Sequence, residues 1–348
     1  MPEQRPFAGR GPGLRAGIGR LRAHPSFLRE EAGFFVAEHE SPLRRGTARR
    51  IIPTFLLLAA VGCLADDRDG DAPARAIAVL DDAGRTVALE RPARRVISMI
   101  PAQTEIVTIL AGPDAVIART QWDLDPRLAH IPSVGNALNP SVEWLAAQRP
   151  DLVIAWPDAQ SRDVVRRLTA AGIPTYSSRV ESVDEIRSMI GRLGVLLGER
   201  ARADSLARAL DAQLEAVRRS VEGRPVPRVL YLLSADPPMV AGPGTFVDDL
   251  ITIAGGANVF ADIRQLWPQV SLEEIVRRQP DVIIRPSDHS LDEPLAGLAG
   301  RPGWRELAAV QRGRVYAVDP DLYNRAGASV AIAARGLAER IHAADTIR

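Results

Sequence analysis

Two glutamates occupy equivalent positions in an internal repeat of the sequence. They are the polar residues best placed to act as a pair. Glu143 lies in Ser-Val-Glu-Trp-Leu and Glu273 lies in Ser-Leu-Glu-Glu-Ile, 130 positions apart (273 − 143). The same spacing relates Arg-Pro-Asp at 149–151 to Gln-Pro-Asp at 279–281. Each glutamate falls near a predicted helix start, where the helix dipole favours a negative charge. The repeat predicts one surface carboxylate in each half of the chain. The alternative is two ordinary helix-start acids.

The other polar residues lack the spacing that catalysis or metal binding requires. No serine lies in a Gly-x-Ser-x-Gly elbow, and after residue 75 the histidines are the scattered His130, His289 and His342. Gly242 to Thr245 is glycine-rich but lacks the Lys-Ser/Thr of a phosphate loop, so we predict a turn with Thr245 capping the next helix. We therefore predict no enzyme, no metal ligands and no cofactor. An extracytoplasmic hydrolase is the alternative, and it would need a nucleophile beside a base.

The composition excludes further classes of function. The 348 residues carry 44 basic and 43 acidic side chains, so the concentrated positive charge that nucleic acid requires is missing. No apolar run reaches the roughly 18 residues of a membrane-spanning helix. The length suffices for one large domain or for two lobes that each have a core.

The single cysteine, Cys63, ends a segment typical of secretion. Arginines precede the apolar run of residues 51–61, and Leu58 to Cys63 resembles a bacterial lipobox. The alternative is a buried thiol at the end of a short helix, which Pro53 disfavours. We predict a signal peptide over 1–62 with an extended or misassigned N-terminus. A lipidated cysteine and tether follow over 63–75, which predicts a lipid-anchored protein outside the cytoplasm.

The elements that position these residues alternate between strand and helix. An Asp/Gly turn at 81–85 joins two short apolar strands into a predicted hairpin. Further strands are predicted at 96–99, 115–118, 152–155, 174–176, 229–233, 282–284 and 314–318, with helices between them. Such continuous apolar strands favour an α/β fold of two lobes, with mostly parallel sheets flanked by helices. The lobes are predicted at 76–198 and 223–348, joined by one long interlobe helix over 199–222, a segment that contains neither Gly nor Pro.

Several motifs in order resemble the Fe/B12 periplasmic-binding family. They include Pro101 to Ile106, Asn139 to Ile154, and Gly242 to Phe260, and the likeness covers about residues 76–343. The resemblance implies that ligand binds in a cleft between two α/β lobes and passes to an ABC permease with its ATPase. It also implies that Glu143 and Glu273 dock on permease arginines. The expected partners are thus a metal chelate, the permease and the membrane, with the protein itself a monomer.

The closest motif likeness within that family is to its vitamin B12 receptors. It implies ligand contacts from Trp122 and from Trp267 in Trp-Pro-Gln-Val-Ser, with Phe246, Tyr323 and Arg325 also near the ligand. A flat aromatic face suits a large macrocycle, so cobalamin is the favoured ligand. Ala137 occupies a position where those receptors have tryptophan. Ferric siderophore and haem therefore remain alternatives.

Overall fold

The computed structural model describes residues 77–137, 140–159, 161–287 and 297–343. The predictions about the signal peptide, Cys63 and the tether concern residues outside these ranges, as does the motif residue Asn139. Within the ranges, no helix has both the length and the apolar composition needed to cross a membrane.

The first lobe opens with the predicted hairpin and continues into a parallel sheet. Strands β1 (Ile77–Leu80) and β2 (Thr86–Leu89) pair antiparallel. The sheet that follows has the order β4-β3-β5-β6, with every pair parallel. Its strands are β3 (Val96–Ser98), β4 (Val116–Ala118), β5 (Leu152–Ala155) and β6 (Thr175–Ser177). All four residues of β5 are buried, as expected of a strand that is covered on both faces.

The helices of the first lobe lie between these strands, as the alternating pattern predicts. They are α1 (Pro101–Ala111), α2 (Val142–Ala147), α3 (Ser161–Ala170) and α4 (Val183–Leu197), with 3-10 turns at Pro113–Ala115 and Pro126–Leu128. The last helix begins with a capping box between Ser182 and Glu185 and ends at Gly198 in the left-handed region. These capping interactions define both ends of α4. The sequence analysis did not predict this helix.

One long helix, α5 (Arg200–Val221), joins the two lobes. Its 22 residues give a length of about 33 Å at 1.5 Å per residue. The side chains of Leu210, Leu214, Val217 and Val221 recur at helical spacing on its buried face. The helix is one residue shorter at each end than the segment 199–222 that the sequence analysis assigned to it.

The second lobe repeats the parallel design and adds an antiparallel edge. Its sheet has the order β11-β10-β7-β8, with β9 beside β7, and only the β7–β8 pair is antiparallel. The strands are β7 (Arg228–Ala235), β8 (Pro238–Val240), β9 (Ala257–Asn258), β10 (Val282–Pro286) and β11 (Val315–Val318). The helices are α6 (Phe246–Ile253), α7 (Leu272–Arg278), α8 (Ala308–Gln311), α9 (Pro320–Tyr323) and α10 (Val330–Ile341), with a 3-10 turn at Trp304–Glu306. The predicted α/β class is confirmed.

The internal repeat corresponds to equal local structure in the two lobes. Asp151, just before β5, accepts hydrogen bonds from the backbone N–H groups of Arg94 and Arg95 at 2.9 and 3.0 Å. Asp281, just before β10, accepts one from the N–H of Arg228 at 2.8 Å. Each aspartate therefore ties the start of its own strand to the start of the neighbouring strand. This explains why Pro-Asp recurs before both strands.

The helices before these aspartates also begin and end alike. Ser141 caps α2 and Ser271 caps α7, each accepting a hydrogen bond from the backbone N–H three residues later. The residues at 149 and 279 have positive φ values of 49° and 44°, which turn the chain from helix to strand. The repeat is therefore one helix–turn–strand unit that occurs once in each lobe.

A single cluster of buried apolar side chains continues from one lobe into the other. It includes Leu193 on α4, Leu210 and Leu214 on α5, Leu250 on α6 and Leu337 on α10. Because α5 packs against helices of both lobes, separating the lobes would expose part of this cluster. The cost of exposing this shared core therefore opposes separation of the lobes.

Candidate ligand site and docking surface

The carboxyl ends of the parallel strands in the first lobe bring together residues from distant parts of the chain. Trp156 directly follows β5, Arg179 comes two residues after β6, and Trp122 comes four residues after β4. In open α/β sheets, ligands bind outside the carboxyl ends of the strands. This edge is therefore the part of the first lobe where a ligand is expected.

A cavity of about 950 Å³ opens beside this edge, and we call it the basic groove. It runs between α3, the turn of the β1–β2 hairpin and the segment after β6. Its lining comes entirely from the first lobe: Asp82, Ala83, Arg85, Trp156, Pro157, Asp158, Ala159, Arg162, Val165, Arg166, Thr169, Ala170, Ser177 and Arg179. The volume lies within the range of small-molecule sites, about 300–1,000 Å³. Trp156 was missed from the sequence, although its place directly after a buried strand was a usable signal.

The hairpin turn is held against β6 by a buried ion pair. Asp81 has no exposed side-chain surface and accepts two hydrogen bonds from the Arg85 guanidinium, at 2.6 Å from Nη2 and 3.0 Å from Nε. The same carboxylate accepts from the backbone N–H of Ser177 at 3.2 Å. Arg85 Nη2 also donates to the Ser177 hydroxyl at 2.8 Å. One wall of the basic groove is thereby fixed to the sheet.

The two lobes also contact each other through polar groups. Arg325 donates a hydrogen bond from Nη2 to the backbone oxygen of Trp122 at 2.9 Å and forms an ion pair with Asp321. The Ser329 hydroxyl bonds the carboxylate of Glu105 on α1. Trp122 and Arg325, both predicted ligand residues, are thus brought together by the tertiary structure, and both are half-buried.

The backbone at Trp122 is set by a local turn. Asp123 Oδ2 accepts from the Thr120 N–H at 2.6 Å and from the Thr120 hydroxyl at 2.8 Å. The Thr120 hydroxyl oxygen in turn accepts from the Trp122 N–H at 3.1 Å. These bonds fix the carbonyl that Arg325 contacts, so the interlobe hydrogen bond requires little further ordering of the first lobe.

The other predicted ligand residues lie in the core. Phe246, Trp267 and Tyr323 are 1%, 5% and 3% exposed, and burial raises the pKa of the Tyr323 phenol. Gly242 explains part of this packing, because its N–H donates to the Leu266 oxygen at 2.7 Å and draws the segment before Trp267 inward. In this conformation the three rings present almost no surface to a ligand. Their placement fits a packing role and does not support direct contact.

Glu143 and Glu273 both lie exposed in the first turn of their helices, as the repeat predicts. In each case the carboxylate pKa is lowered by a hydrogen bond from the residue's own backbone N–H and by the capping serine. Arg167 on α3 lowers the pKa of Glu143 further and forms an ion pair with it. Both carboxylates are therefore charged at neutral pH and exposed, with Glu143 already in an ion pair with Arg167.

The chemistry of the described side chains bears on whether a metal ion could bind directly. Those residues contain no group of three or more His, Cys, Asp or Glu side chains that could hold a metal ion. The basic groove instead offers arginine, aspartate and aromatic side chains. Its lining suits a preassembled organic ligand better than a bare cation, which would need several oxygen or nitrogen ligands at once.

Comparisons with known proteins agree with this architecture. The family model described as periplasmic binding protein matches residues 96–322. A vitamin B12-binding protein of Vibrio cholerae serotype O1 is 30% identical over 235 residues, which cover 67% of this chain and 84% of that protein. The ABC transporter substrate-binding lipoprotein YvrC of Bacillus subtilis is 27% identical over 86% of this chain and 97% of its own length. A periplasmic haem-binding protein from Roseiflexus sp. RS-1 superposes with a TM-score of 0.65 at 27% identity, covering 72% of this chain and 98% of that one. The chain belongs to the periplasmic binding protein family, among the ABC-importer substrate-binding proteins that include receptors for vitamin B12 and haem.

Proposed function

We propose that this protein is the lipid-anchored receptor of an ABC importer, which captures a metal chelate outside the cytoplasm and delivers it to a membrane permease and its ATPase. The observation that carries the proposal is a cavity of about 950 Å³ at the carboxyl edge of the first sheet, in a chain that belongs to the periplasmic binding protein family. A shared core and a stiff interlobe helix suit a receptor that closes only slightly around its ligand.

Cobalamin is the ligand that we propose first. Support comes from the 30% identity to a vitamin B12-binding protein and from Trp122 and Trp156 at the ligand-binding edge. Flat, partly exposed indole rings suit the apolar faces of a corrinoid macrocycle. The buried rings of Phe246, Trp267 and Tyr323 would contact a ligand only if the second lobe rearranged. Haem and ferric siderophore are the alternatives, favoured by the arginines of the basic groove.

Docking on the permease is proposed to use Glu143 and Glu273. One exposed carboxylate in each lobe would contact one cationic group on each half of a permease, so the pair would fix the orientation of the complex. Glu143 already pairs with Arg167, so a permease cation would have to displace that arginine. The exposed pair is weak enough for such an exchange.

Membrane attachment is proposed to occur through lipid on Cys63, the only cysteine of the chain. A cysteine that carries two or more acyl chains is held stably, whereas a single chain binds only marginally. Cys63→Ser should move the protein from the membrane to the soluble fraction, provided that the signal is still cleaved. Unchanged lipid labelling of that variant would contradict the proposal.

Titration calorimetry of the purified full-length chain tests the ligand. Cobalamin, haem, a ferric hydroxamate and a ferric catecholate are titrated separately, and Trp156→Ala and Trp122→Ala are compared with the unchanged chain. Loss of a stacked ring should weaken binding by about 1–3 kcal/mol, which is roughly five- to 150-fold. Heat from a siderophore but not from cobalamin would change the ligand and leave the receptor assignment standing. Binding of none of the four would contradict the proposed function.

A further inference from the structure

Two adjacent aspartates on α6 contact different lobes. Asp248 accepts hydrogen bonds from the side-chain amide of Asn258 at 2.9 Å and from the backbone N–H of Gly244 at 3.2 Å, both within the second lobe. Asp249 instead accepts one from the backbone N–H of Val183 at 2.8 Å, which belongs to the first lobe. Successive residues of a helix point about 100° apart, so one side chain stays in its own lobe while the next reaches the other.

The N–H of Val183 is a donor that α4 cannot satisfy by itself. The first N–H groups of a helix have no acceptor within that helix. The capping box of α4 serves the neighbouring groups: Ser182 Oγ accepts from the Glu185 N–H at 3.2 Å, and Glu185 Oε2 accepts from the N–H groups of Glu181 and Ser182 at 2.6 and 3.2 Å. Because Val183 is buried, its N–H needs an acceptor from the protein. That acceptor comes from the other lobe, and we call this hydrogen bond the α4–α6 tie.

The side chain of Asp249 is used for this bond alone. Its carboxylate forms no ion pair and no second hydrogen bond with any residue that the structure describes. Burial raises the pKa of Asp249, and the hydrogen bond from the Val183 N–H lowers it. A half-buried carboxylate is unfavourable unless a donor stabilises it. The site therefore uses the side chain as an acceptor oxygen for the N-terminus of α4.

The tie lies where helices of both lobes meet the interlobe helix. Arg187 near the start of α4 forms an ion pair with Asp211 on α5, and α6 packs against α5 from the second lobe. Apolar side chains fill this junction, among them Val183, Leu214 and Leu250. Burial of apolar surface has no direction, so it allows packed helices to slide and rotate. A hydrogen bond is directional, so the tie sets the orientation of α4 against α6.

We propose that Asp249 is a positioning residue, which ties the N-terminus of α4 to the second lobe and so holds the two lobes at the angle at which the receptor retains its ligand. The hydrogen bond from Arg325 to the backbone oxygen of Trp122 is a second, separate connection, and the two together resist a rotation that one alone would allow. The lobe angle is a property of this chain by itself. Only the effect on ligand retention rests on the proposed function.

Electron paramagnetic resonance on the full-length chain measures the distance between the lobes. Spin labels are attached at Asp114→Cys in the first lobe and Arg312→Cys in the second, both exposed, and Cys63→Ser leaves the labelled thiols as the only ones. In Asp249→Ala the distance distribution should broaden and shift, because the acceptor is lost. Asp249→Asn keeps an acceptor oxygen at the same place, so its distribution should match that of the labelled chain with Asp249.

Val183→Pro removes the same bond from the donor side. Proline is favoured at the first position of a helix, and the extended backbone of Ser182, with φ −132° and ψ 163°, is the conformation that a following proline requires. Val183→Ala keeps the N–H and controls for the lost packing. Val183→Pro should change the distances as Asp249→Ala does, and the double variant should change them no further, because both substitutions remove one bond. Thermal unfolding identifies any variant that does not fold, and the comparison then uses the other side of the bond.

Release of cobalamin is followed by stopped flow on the same variants without labels. Loss of the tie should speed release about five- to tenfold, whereas Asp249→Asn should release at the unchanged rate. Unchanged distances in both Asp249→Ala and Val183→Pro overturn the proposal, and so does an asparagine variant that behaves like the alanine variant. Altered distances with an unchanged release rate overturn the link to ligand retention. If the chain with Asp249 binds no cobalamin, the proposed ligand fails, and the distances still decide the role of Asp249.

Discussion

Asp81→Ala is expected to destabilise the first lobe more than any exposed acidic substitution. The carboxylate has no exposed surface and accepts five hydrogen bonds, from the backbone N–H groups of Ala83, Arg85 and Ser177 and from two nitrogens of the Arg85 guanidinium. Removing it leaves these part-buried donors without their acceptor. It also leaves the partly buried Arg85 cation without its partner.

The magnitude follows from the exposure of the arginine. Loss of one partner from a fully buried ion pair costs about 3–5 kcal/mol. The Arg85 side chain is 37% exposed and keeps its bond to the Ser177 hydroxyl, so water and that hydroxyl compensate part of the loss. We expect the free energy of unfolding to fall by about 3 kcal/mol.

Urea unfolding followed by circular dichroism measures this loss. Asp204→Ala, at an exposed position on α5, is the matched control and should stay within about 0.5 kcal/mol of the unchanged chain. Adding Arg85→Ala should recover about 1–2 kcal/mol of the Asp81→Ala loss, because no cation is then left unpaired. The ion pair would be refuted as the link between hairpin and sheet if the free energy of unfolding fell by less than about 1 kcal/mol while its slope against urea concentration stayed the same.

Three further predictions concern the interlobe contact, docking and pH. A Cβ at Gly327 would lie 2.8 Å from Glu105 Oε2, which can move aside, but also 3.3 Å from Cβ and 3.4 Å from the backbone oxygen of Ala102 on α1. The larger side chain of Gly327→Leu should therefore push the lobes apart, raise the radius of gyration in X-ray scattering and weaken ligand binding several-fold. Gly191→Leu, where no atom lies within 4 Å of the added Cβ, is the control, and equal scattering from both variants would contradict the contact. Glu143→Arg and Glu273→Arg should each reduce uptake while the ligand Kd stays within about twofold, because reversed charges repel a cationic permease surface. Glu90→Arg, at an exposed position, is the control and should change neither uptake nor Kd. Parallel loss of ligand binding and uptake would refute a docking role. Burial raises the pKa of Glu181 from 4.5 to about 7, so the folded state holds this proton more tightly and loses stability as pH rises between those values. Glu181→Gln should therefore be more stable than the unchanged chain at pH 8 by on the order of 1–2 kcal/mol, with little difference at pH 4. The melting temperature of both proteins is measured across this pH range. Identical pH profiles would show that Glu181 is not buried.

The sequence by itself determined the fold class and the internal repeat, because both depend on short-range patterns. Continuous apolar strands such as Leu152 to Ala155 require cover on both faces, which only helices between parallel strands provide. Ser141 and Ser271 cap helices through bonds to groups three residues away, so their role is visible locally. The long helix at 200–221 was predictable for the same reason, from its spacing of apolar residues and the absence of Gly and Pro.

The tertiary structure alone decided which candidate side chains are exposed and which line a cavity. Phe246 and Trp267 resemble ligand residues in their motifs, yet they lie in the core. Trp156, which no motif singled out, lines the cavity. The basic groove likewise joins Arg85, Arg162 and Arg179 across three separate segments of the chain. The exposure of a side chain depends on which residues from distant parts of the chain pack over it. The local periodicity of apolar residues does not predict those contacts.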